Sequence, residues 1–393
     1  MERSREPDEA RPVGVAVQAD GVTLGPTADE REPWQQELRH GIRTSAQLSR
    51  APLSAEQLRA LSPVTETFKT RAPRHYLKLV DWSDPDDPIR AQVIPAPAEL
   101  RFAPGELVDP IGDQRHSPVP RLTHRYPDRV LLYPTYHCAL YCRFCFRKEA
   151  INEVDEGYSA RALQPAYAYI EAHDALREVI LTGGDPMTLR DDHLAAIRGR
   201  LEAVPHLRML RLHTRVPVAL PQRVTPGLVA ALRGRLMVAV VTHFNHPREI
   251  TEPAAVACRR LREGGFMLLN QTVLLRGIND DAAVLRELFQ ELVYTLGAKP
   301  YYLHHCDLTR GLSHFRTSIE HGQQLVDGLR GQISGLCQPS YVLDLPGGHG
   351  KVPLTPDHVQ AREGHRYTLR GLDGHEHRYD EVLAPPGDDD GSG

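Results

Sequence analysis

A chain of 393 residues is long enough to bury one large α/β core or two ordinary ones. Its hydrophobic content of 41% and charged content of 25% are typical of a globular protein that folds in water. The formal net charge of −4 comes without a basic block, which argues against a nucleic-acid-binding surface. No apolar run reaches the roughly eighteen residues of a transmembrane helix, and the polar residues 1–32 do not resemble a secretory signal. We therefore expect a cytoplasmic protein.

The patterns along the chain divide it into regions of different character. The predicted regions are a mobile leader (1–33), a helical and wrapping region (34–120), a β/α domain (121–335), a C-terminal segment (336–384) and a disordered tail (385–393). Helices are expected between Trp34 and about Leu61, and the Pro- and Asp-rich passage that follows is expected to wrap over a core.

From Arg129 onward, short apolar runs alternate with helical patterns. The predicted strands are Val130–Tyr133, Val179–Thr182, Met209–His213, Leu236–Thr242, Phe266–Leu275 and Pro300–His304. The predicted helices are Pro165–Ala172, Asp192–Leu201, Pro226–Leu232, Pro253–Glu263 and Ala282–Leu296. Such alternation is typical of a parallel sheet covered by helices. The predicted fold is therefore α/β, an open or partial (βα)6-type barrel with its active site at the carboxyl ends of the strands.

Three of the six cysteines, Cys138, Cys142 and Cys145, lie close together just after the first predicted strand. In a reducing compartment such a cluster is more often a metal site than a disulfide framework. Structural zinc needs four ligands, but no second cysteine pair occurs, and His137 is awkwardly close to Cys138. Three thiolates from one loop suit an iron–sulfur cubane whose fourth iron is free to bind a reactant.

Two glycine-containing segments follow. Gly183 and Gly184 come directly after the second predicted strand, where a simple turn is the ordinary interpretation. The lysine loop, residues 344–351 with the sequence Asp-Leu-Pro-Gly-Gly-His-Gly-Lys, lacks the spacing of a nucleotide phosphate loop because Val352 follows its lysine. Lys351 is either an exposed loop residue or, in a buried site, an amine suited to Schiff-base chemistry.

The C-x3-C-x2-C spacing resembles the signature of radical S-adenosylmethionine enzymes. From Trp34 to about Tyr379, the chain resembles the lysine 2,3-aminomutase family. The resemblance is carried by the cysteine loop (residues 136–147), the Pro-Gly-Gly-x-Gly-Lys run, and the segments Thr-His-Arg-Tyr-Pro-Asp-Arg (123–129), Thr-Arg-Val-Pro (214–217), Thr-His-Phe-Asn-His-Pro (242–247), Asn-Gln-Thr-Val-Leu-Leu-Arg-Gly (270–277) and Cys-Asp-Leu (306–308). It implies a radical S-adenosylmethionine barrel followed by a C-terminal segment that binds pyridoxal phosphate.

The resemblance also implies roles for single residues. The three clustered cysteines would hold a [4Fe-4S] cluster, at which S-adenosylmethionine is cleaved to a 5′-deoxyadenosyl radical. Lys351 would bind pyridoxal 5′-phosphate covalently, and Arg125 and Arg129 would bind its phosphate, a role that suits guanidinium groups. The residues beside S-adenosylmethionine would be Gly183, Gly184, Asp185, His243 and Gln271.

Three further residues would select the substrate. Arg147 matches the position that binds the substrate carboxylate, and Asp307 and Asp344 match the two positions that bind the distal ammonium of lysine. Two buried carboxylates repel one another unless a cation lies between them, which argues against glutamate. The predicted reaction moves the α-amino group of L-lysine to C3 after the adenosyl radical removes a hydrogen there, and the product is β-lysine.

Other functions stay open at this point. Arginine is also cationic and a carboxylate pair can bind its guanidinium, so an arginine 2,3-aminomutase is the second candidate. Relatives that modify a lysine of elongation factor P are a third, although they tend to lack the paired aspartates. A cluster with a purely structural role would leave Arg147, Lys351 and both aspartates unexplained.

The chain departs from some relatives at two places. Asp281 stands where clostridial-type relatives carry a zinc-binding cysteine, and no cysteine follows Cys337, so we expect no structural zinc. His349 replaces a usual glycine in the lysine loop. The implied partners are a small amino-acid substrate, an electron donor such as flavodoxin or ferredoxin, and further copies of the chain in a homo-oligomer, with no nucleic acid and no membrane.

Overall fold

A nine-stranded sheet forms the centre of the computed structural model, which describes residues 33–153 and 157–382. Its strands follow one another in chain order: β1 (Leu122–Tyr126), β2 (Arg129–Thr135), β3 (Glu178–Gly183), β4 (Met209–His213), β5 (Met237–Thr242), β6 (Met267–Val273), β7 (Lys299–His304), β8 (Ser340–Asp344) and β9 (Lys351–Pro353). Strands β2 to β8 run parallel, and β1 and β9 pair antiparallel at the two edges. The predicted α/β partial barrel is thus confirmed.

The six predicted strands correspond to β2 through β7, with end points that differ by only a few residues. The sequence prediction missed β8, a further parallel strand on which only Tyr341 and Val342 are fully buried. A strand with so short an apolar stretch carries little periodic signal. Because β8 and β9 belong to the same sheet, the sheet continues past residue 335; the predicted domain boundaries themselves stay a prediction.

Helices cover the sheet and precede it. They are α1 (Pro33–His40), α2 (Ala55–Thr67), α3 (Arg74–Leu77), α4 (Pro88–Val93), α5 (Lys148–Glu153), α6 (Gln164–Ala172), α7 (Asp191–Glu202), α8 (Val216–Ala219), α9 (Pro226–Leu232), α10 (Glu252–Glu263), α11 (Ala282–Tyr294) and α12 (Ile319–Leu329). The five predicted barrel helices correspond to α6, α7, α9, α10 and α11. Asp281, at the position discussed for zinc, caps α11 by accepting hydrogen bonds from the backbone of Ala283 and Val284.

The helical region before the barrel differs in detail from the prediction. Helix α2 begins at a capping box formed by Ser54 and Gln57 and continues through Pro63 to Thr67, beyond the predicted end near Leu61. A 3-10 helix at Ser45–Arg50 lies between α1 and α2. Further on, the predicted wrapping passage contains α4 and 3-10 turns at Pro97–Leu100 and Gln114–His116.

The described chain ends in a second, small sheet that the sequence did not predict. Its antiparallel strands are β10 (Val359–Glu363), β11 (Arg366–Arg370) and β12 (Glu376–Asp380). The residues of β10 and β12 are exposed, so hydrophobic periodicity gives no signal there. The predicted tail at 385–393, and the predicted leader except for Pro33, lie outside the described residues. Among the described helices none has the length and apolar character needed to cross a membrane.

Candidate active site

A cavity of about 410 Å³ lies at the carboxyl ends of the parallel strands. The predicted cluster, cofactor and substrate residues all line it: Arg125, Arg129, Cys138, Cys142, Cys145, Arg147, Gly183, Gly184, Asp185, His243, Gln271, Asp307, Asp344 and Lys351. These residues are spread over 227 positions of the chain, and the sheet brings them together because neighbouring parallel strands end at the same edge.

The cysteine loop follows β2 directly and is held from behind by the N-terminal region. The backbone amide of Tyr141 donates to the Arg71 carbonyl at 3.0 Å, and that of Arg143 donates to the Gln92 carbonyl at 2.9 Å. The Arg71 side chain in turn donates to the carbonyl of Cys138 at 3.1 Å. The wrapping region therefore fixes the path of the loop on both sides of its second cysteine.

A buried ion cluster anchors the same loop. Glu99 is fully buried and accepts hydrogen bonds from the Arg143 guanidinium and from the Lys148 ammonium, the latter at 2.8 Å. Burial alone would raise the pKa of Glu99, but the two neighbouring cations hold it below its ordinary value. Because Arg143 lies between the second and third cysteines, this cluster positions both of them.

The cysteine thiols are free and face the cavity. Burial raises the pKa of Cys138, and it raises the pKa of Cys145 to about 11. Cys142 differs, since its Sγ accepts a hydrogen bond from Arg215 Nη1 at 2.9 Å. A guanidinium at that distance places a positive charge beside the sulfur, which suits a ligand of a negatively charged cluster.

No group of three His, Cys, Asp or Glu side chains within residues 33–153 and 157–382 converges on a single metal-ion position. A cubane has a different requirement, because each thiolate binds a different iron atom and the cysteines surround a volume. Three half-buried thiols on one loop, with a guanidinium at one of them, fit such a cluster.

The glycine pair after β3 allows the cysteine loop to pack tightly against that strand. A Cβ atom on Gly184 would lie 2.4 Å from the His137 carbonyl oxygen, and Gly183 has a φ of +99°. The amide of Gly184 donates to the carbonyl of Thr135 at 2.8 Å. Only glycine fits this contact, so the pair shapes the cavity wall beside the predicted cluster.

Asp185 is engaged by the protein itself. Its carboxylate accepts hydrogen bonds from Thr214 Oγ1 at 2.7 Å and from the backbone amides of Met187 and Arg215. Burial raises the pKa of Asp185, and these hydrogen bonds oppose that rise. The residue thus ties the turn after β3 to the end of β4 while it lines the cavity.

Arg215 is a central residue whose role the sequence did not predict. Besides Cys142, its guanidinium donates to Glu249 at 2.6 Å, Gln92 at 2.5 Å and Tyr76 at 3.0 Å. Burial alone would lower the pKa of Arg215, but Cys142, Tyr76 and Glu249 raise it above its ordinary value. The only available signal was the Thr-Arg-Val-Pro segment, which gives no information about what the arginine contacts.

Lys351 begins β9 and lies directly opposite Asp344, the last residue of β8, in the antiparallel register. Its Nζ contacts both carboxylate oxygens of Asp344, at 2.7 and 2.5 Å. The glycines at 347, 348 and 350 all adopt positive φ angles, which lets the lysine loop turn back within a few residues. The loop thereby places the amine inside the cavity.

Asp307 and Asp344 face the same end of the cavity but differ in charge state. Burial, followed by the charge of Asp344, raises the pKa of Asp307 to about 7. Burial alone would also raise the pKa of Asp344, but His304 and Lys351 hold it well below its ordinary value. Asp307 lies three residues beyond the end of β7. His304 Nδ1 lies 3.5 Å from Asp344, a contact that the sequence did not indicate.

Two of the three predicted anion-binding arginines share one partner. Arg125 and Arg147 both contact Asp113, a residue that the sequence analysis missed. Arg129 instead pairs with Asp128 at 2.7 Å and stacks over the Tyr126 ring at 3.9 Å. Tyr126 also accepts a hydrogen bond at its hydroxyl from the backbone amide of Lys351, at 3.1 Å.

The remaining predicted cofactor residues contact one another. Gln271 Nε2 lies 3.2 Å from His243 Nε2 on neighbouring strand ends. Burial, with further lowering from Arg215 and His304, reduces the pKa of His243 to about 3, so the imidazole is neutral at physiological pH. His213 lies edge-on to His243 at 6.1 Å between ring centres and also lines the cavity.

The partial barrel, with its cavity at the carboxyl ends of the strands, belongs to the α/β class in which that edge carries the active site. A family model described as lysine 2,3-aminomutase matches residues 326–385. The L-lysine 2,3-aminomutase of Clostridium subterminale is 41% identical over 351 residues, which cover 89% of this chain and 84% of the relative. The chain belongs to the lysine 2,3-aminomutase family and is therefore an aminomutase, an isomerase.

Two further relatives show how the family varies. The L-lysine 2,3-aminomutase of Acetoanaerobium sticklandii is 40% identical over 88% of this chain and 84% of its own. The glutamate 2,3-aminomutase of Clostridioides difficile is 38% identical over 82% of this chain and 76% of its own. Relatives named for different substrates are thus about equally similar, so overall identity does not decide the substrate.

Among solved structures, a radical SAM methyltransferase from Sphaerobacter thermophilus overlaps 56% of this chain and 68% of its own. The sequence identity is 20% and the TM-score is 0.40. An overlap of that quality adds nothing to the family assignment, which depends on the sequence identities.

Proposed function

We propose that the protein is an L-lysine 2,3-aminomutase that converts L-lysine to β-lysine. The observation that carries the proposal is the pair Asp307 and Asp344 at the same end of a cavity that also holds Lys351. A carboxylate pair stabilises a cationic side chain and repels an acidic one. A carboxylate pair at this place therefore favours lysine over glutamate as the substrate.

The cavity supports the cofactors as well. Cys138, Cys142 and Cys145 would hold a [4Fe-4S] cluster, and Lys351 would bind pyridoxal 5′-phosphate. When bound, S-adenosylmethionine and the cluster supply a radical that removes hydrogen, and pyridoxal phosphate supplies a conjugated system that spreads the unpaired electron. Buried Arg125 Nε has no hydrogen-bond partner among the described residues, which fits a nearby phosphate that is not protein-derived.

The side chains divide the work by charge. Arg147 would bind the substrate carboxylate through its guanidinium, while the two aspartates bind the distal ammonium. Binding at both ends fixes the carbon atoms between them, which is how a protein directs a radical to one hydrogen. The apolar walls of the cavity, which include Leu131, Phe146 and Ile180, exclude water from the reacting atoms.

The partners follow from the chemistry. Reduction of the cluster calls for a small electron-transfer protein such as flavodoxin or ferredoxin, and assembly into a homo-oligomer belongs to the same proposal. Neither arginine nor a lysine of a partner protein is favoured by a contact in the cavity. Turnover of either of these substrates is therefore a possible result of the substrate test and not part of the proposal.

The proposal is tested with the anaerobically reconstituted enzyme, supplied with pyridoxal phosphate, S-adenosylmethionine, dithionite and L-lysine. We expect β-lysine to form, and we expect omission of any one cofactor to stop its formation. Lys351→Ala removes the amine that would bind pyridoxal phosphate, so its turnover should fall at least about a thousandfold.

The matched control is Lys78→Ala, which alters an exposed lysine outside the cavity and should leave turnover unchanged. Borohydride reduction followed by peptide mass spectrometry should find the cofactor on the peptide that contains Lys351. Attachment at a different lysine, or full activity of Lys351→Ala, would contradict the proposal.

A further inference from the structure

One carboxylate joins the two arginines that face the anionic groups of cofactor and substrate. Asp113 Oδ1 accepts a hydrogen bond from Arg125 Nη2 at 2.7 Å. Its Oδ2 lies 2.9 Å from Arg147 Nε and 2.8 Å from Arg147 Nη2. All three side chains are largely buried, with exposed fractions of 16%, 10% and 14% for Asp113, Arg125 and Arg147. One carboxylate oxygen thus contacts Arg125 and the other contacts two nitrogens of Arg147, in a largely buried place where salt screens charged contacts less than at the surface.

The backbone of Asp113 is itself fixed in place. It belongs to a strap, residues 109–117, in which the Asp109 carboxylate accepts hydrogen bonds from the amides of Asp113 and Gln114 at 2.9 Å each. The carbonyl of Asp113 accepts a hydrogen bond from Ser117 Oγ at 2.7 Å. With its backbone bound on both sides, Asp113 has little freedom to withdraw from the arginines.

The strap also packs against the lysine loop. A Cβ atom on Gly112 would lie 2.7 Å from the carbonyl carbon of Gly347, and the amide of Gly347 donates to the Pro110 carbonyl at 3.3 Å. The strap therefore contacts the loop that carries Lys351 and both arginines at once. This arrangement ties the anion-binding side of the cavity to the predicted cofactor lysine.

The contacts leave part of each guanidinium for other anions. Asp113 uses only Nη2 of Arg125, and the buried Nε of that residue has no partner among the described residues. Arg147 keeps Nη1, which makes only a long contact of 3.4 Å to Thr182. The Arg147 guanidinium also lies over the Phe146 ring at 4.4 Å, so its plane is held between ring and carboxylate.

Electrostatic repulsion explains why a carboxylate is needed between Arg125 and Arg147. Two guanidinium groups buried side by side repel one another, and a shared carboxylate removes that repulsion while it fixes their planes. A guanidinium group keeps its charge at any physiological pH, so both arginines enter this arrangement as cations.

We propose that Asp113 is a positioning residue that orients Arg125 toward the cofactor phosphate and Arg147 toward the substrate carboxylate. The inference depends on the proposed function, which supplies the two anions that the arginines bind. Asp113 then strengthens the binding of both anions without touching either. The opposite possibility is that Asp113 competes with the anions for the arginines, and the two cases predict opposite effects of removing it.

The experiment compares two amines on the reconstituted enzyme without S-adenosylmethionine, so that no turnover occurs. L-Lysine has a carboxylate, and 1,5-diaminopentane has the same two amines without one. Both dissociation constants are measured from the absorption of the bound pyridoxal phosphate. The constant for 1,5-diaminopentane divided by the constant for L-lysine reports how much the substrate carboxylate contributes to binding. Because both constants come from the same variant, a general loss of stability or of cofactor cancels in the ratio.

We expect Asp113→Asn and Asp113→Ala to reduce that ratio by about tenfold or more, the effect of one misplaced charge-assisted hydrogen bond. Both variants should also bind pyridoxal phosphate more weakly by a similar factor. Asp86→Asn, which alters an exposed aspartate in the wrapping region, is the matched control and should change neither quantity.

The outcomes separate the inference from the proposed function. A large wild-type ratio that both Asp113 variants leave unchanged, or increase, would overturn the inference alone. Tighter binding of pyridoxal phosphate in those variants would also overturn it and identify Asp113 as a competitor. A wild-type ratio near one would contradict the role of Arg147 in the proposed function, and the inference would fail with it.

Discussion

Asp307 and Asp344 have different pKa values because their neighbours differ. Asp344 has the Lys351 ammonium 2.5 Å away and His304 beside it, which keep it ionised. Asp307 feels burial and the negative charge of Asp344, so its pKa rises to about 7. A carboxyl group with that pKa is protonated below neutral pH and ionised above it. Its capacity to bind a cation therefore changes within the physiological range.

This difference predicts a pH dependence. Ionised Asp307 binds the lysine ammonium, so kcat/KM for L-lysine should rise about tenfold per pH unit below about 7 and level off above it. In Asp307→Asn this titration is absent, so the ratio of wild-type to variant kcat/KM should itself rise with pH and level off near 7. Parallel profiles for the two enzymes, measured by initial rates from pH 5.5 to 9, would contradict the assignment.

At the level of single residues, the sequence predicted which residues meet in the cavity but not the contacts that they make there. The spacing of the cysteines indicated their site, whereas Lys351 and the two aspartates were assigned by resemblance to the family. Asp113 was missed because it lies 12 and 34 residues from Arg125 and Arg147, in a passage without periodicity. A contact between distant residues depends on the fold, and a single sequence does not reveal it.

Among the contacts between secondary-structure elements, the one between the end of β3 and the cysteine loop matters most for the position of the cysteines. Gly184 allows the backbone at Tyr136 and His137 to approach within a distance that any side chain would block. The same loop is tied to the wrapping region through Arg143 and Glu99. The loop is therefore clamped from two sides, and its cysteines have little freedom to adjust to a displaced strand.

We expect Gly184→Ala to disrupt this clamp. The new Cβ would lie 2.4 Å from the His137 carbonyl oxygen, so strand and loop must separate, at a cost of about 1–3 kcal/mol in the free energy of unfolding. Iron bound per chain after reconstitution should fall as well. Urea unfolding and a colorimetric iron assay measure the two effects.

Gly199→Ala is the matched control for that experiment. Gly199 lies within α7, and a Cβ built there meets nothing within 4 Å. Since alanine favours helix over glycine, this variant should be as stable as the wild type or about 0.5–1 kcal/mol more stable, with full iron content. Equal behaviour of the two variants would contradict the account of the β3 contact.

Sequence patterns predicted the elements unevenly, and the reason is physical. The strands β2 to β7 contain short apolar runs, and the longer helices between them are amphipathic, so their periodicity is clear. In β8 only Tyr341 and Val342 are fully buried, and β10 and β12 are exposed throughout. Strands of that kind form because a neighbour pairs with them, which local sequence does not indicate.

For the whole molecule, fold and family membership narrow the activity to an aminomutase but not to one substrate. Relatives named for lysine and for glutamate are 41% and 38% identical to the chain. Overall identity therefore does not distinguish the two substrates. We propose that side chains in the cavity select the substrate, and this chain has two carboxylates there, Asp307 and Asp344.

A competition among substrates tests whether the carboxylate pair selects lysine. The anaerobically reconstituted enzyme, with all cofactors, is given equal concentrations of L-lysine, L-arginine, L-ornithine and L-glutamate, and the 3-amino products are identified by mass spectrometry. We predict that β-lysine dominates and that no β-glutamate forms. Preferential conversion of glutamate or arginine would contradict the assignment of the carboxylate pair. Absence of any product, with cluster and pyridoxal phosphate both bound, would contradict the claim that the substrate is a free amino acid.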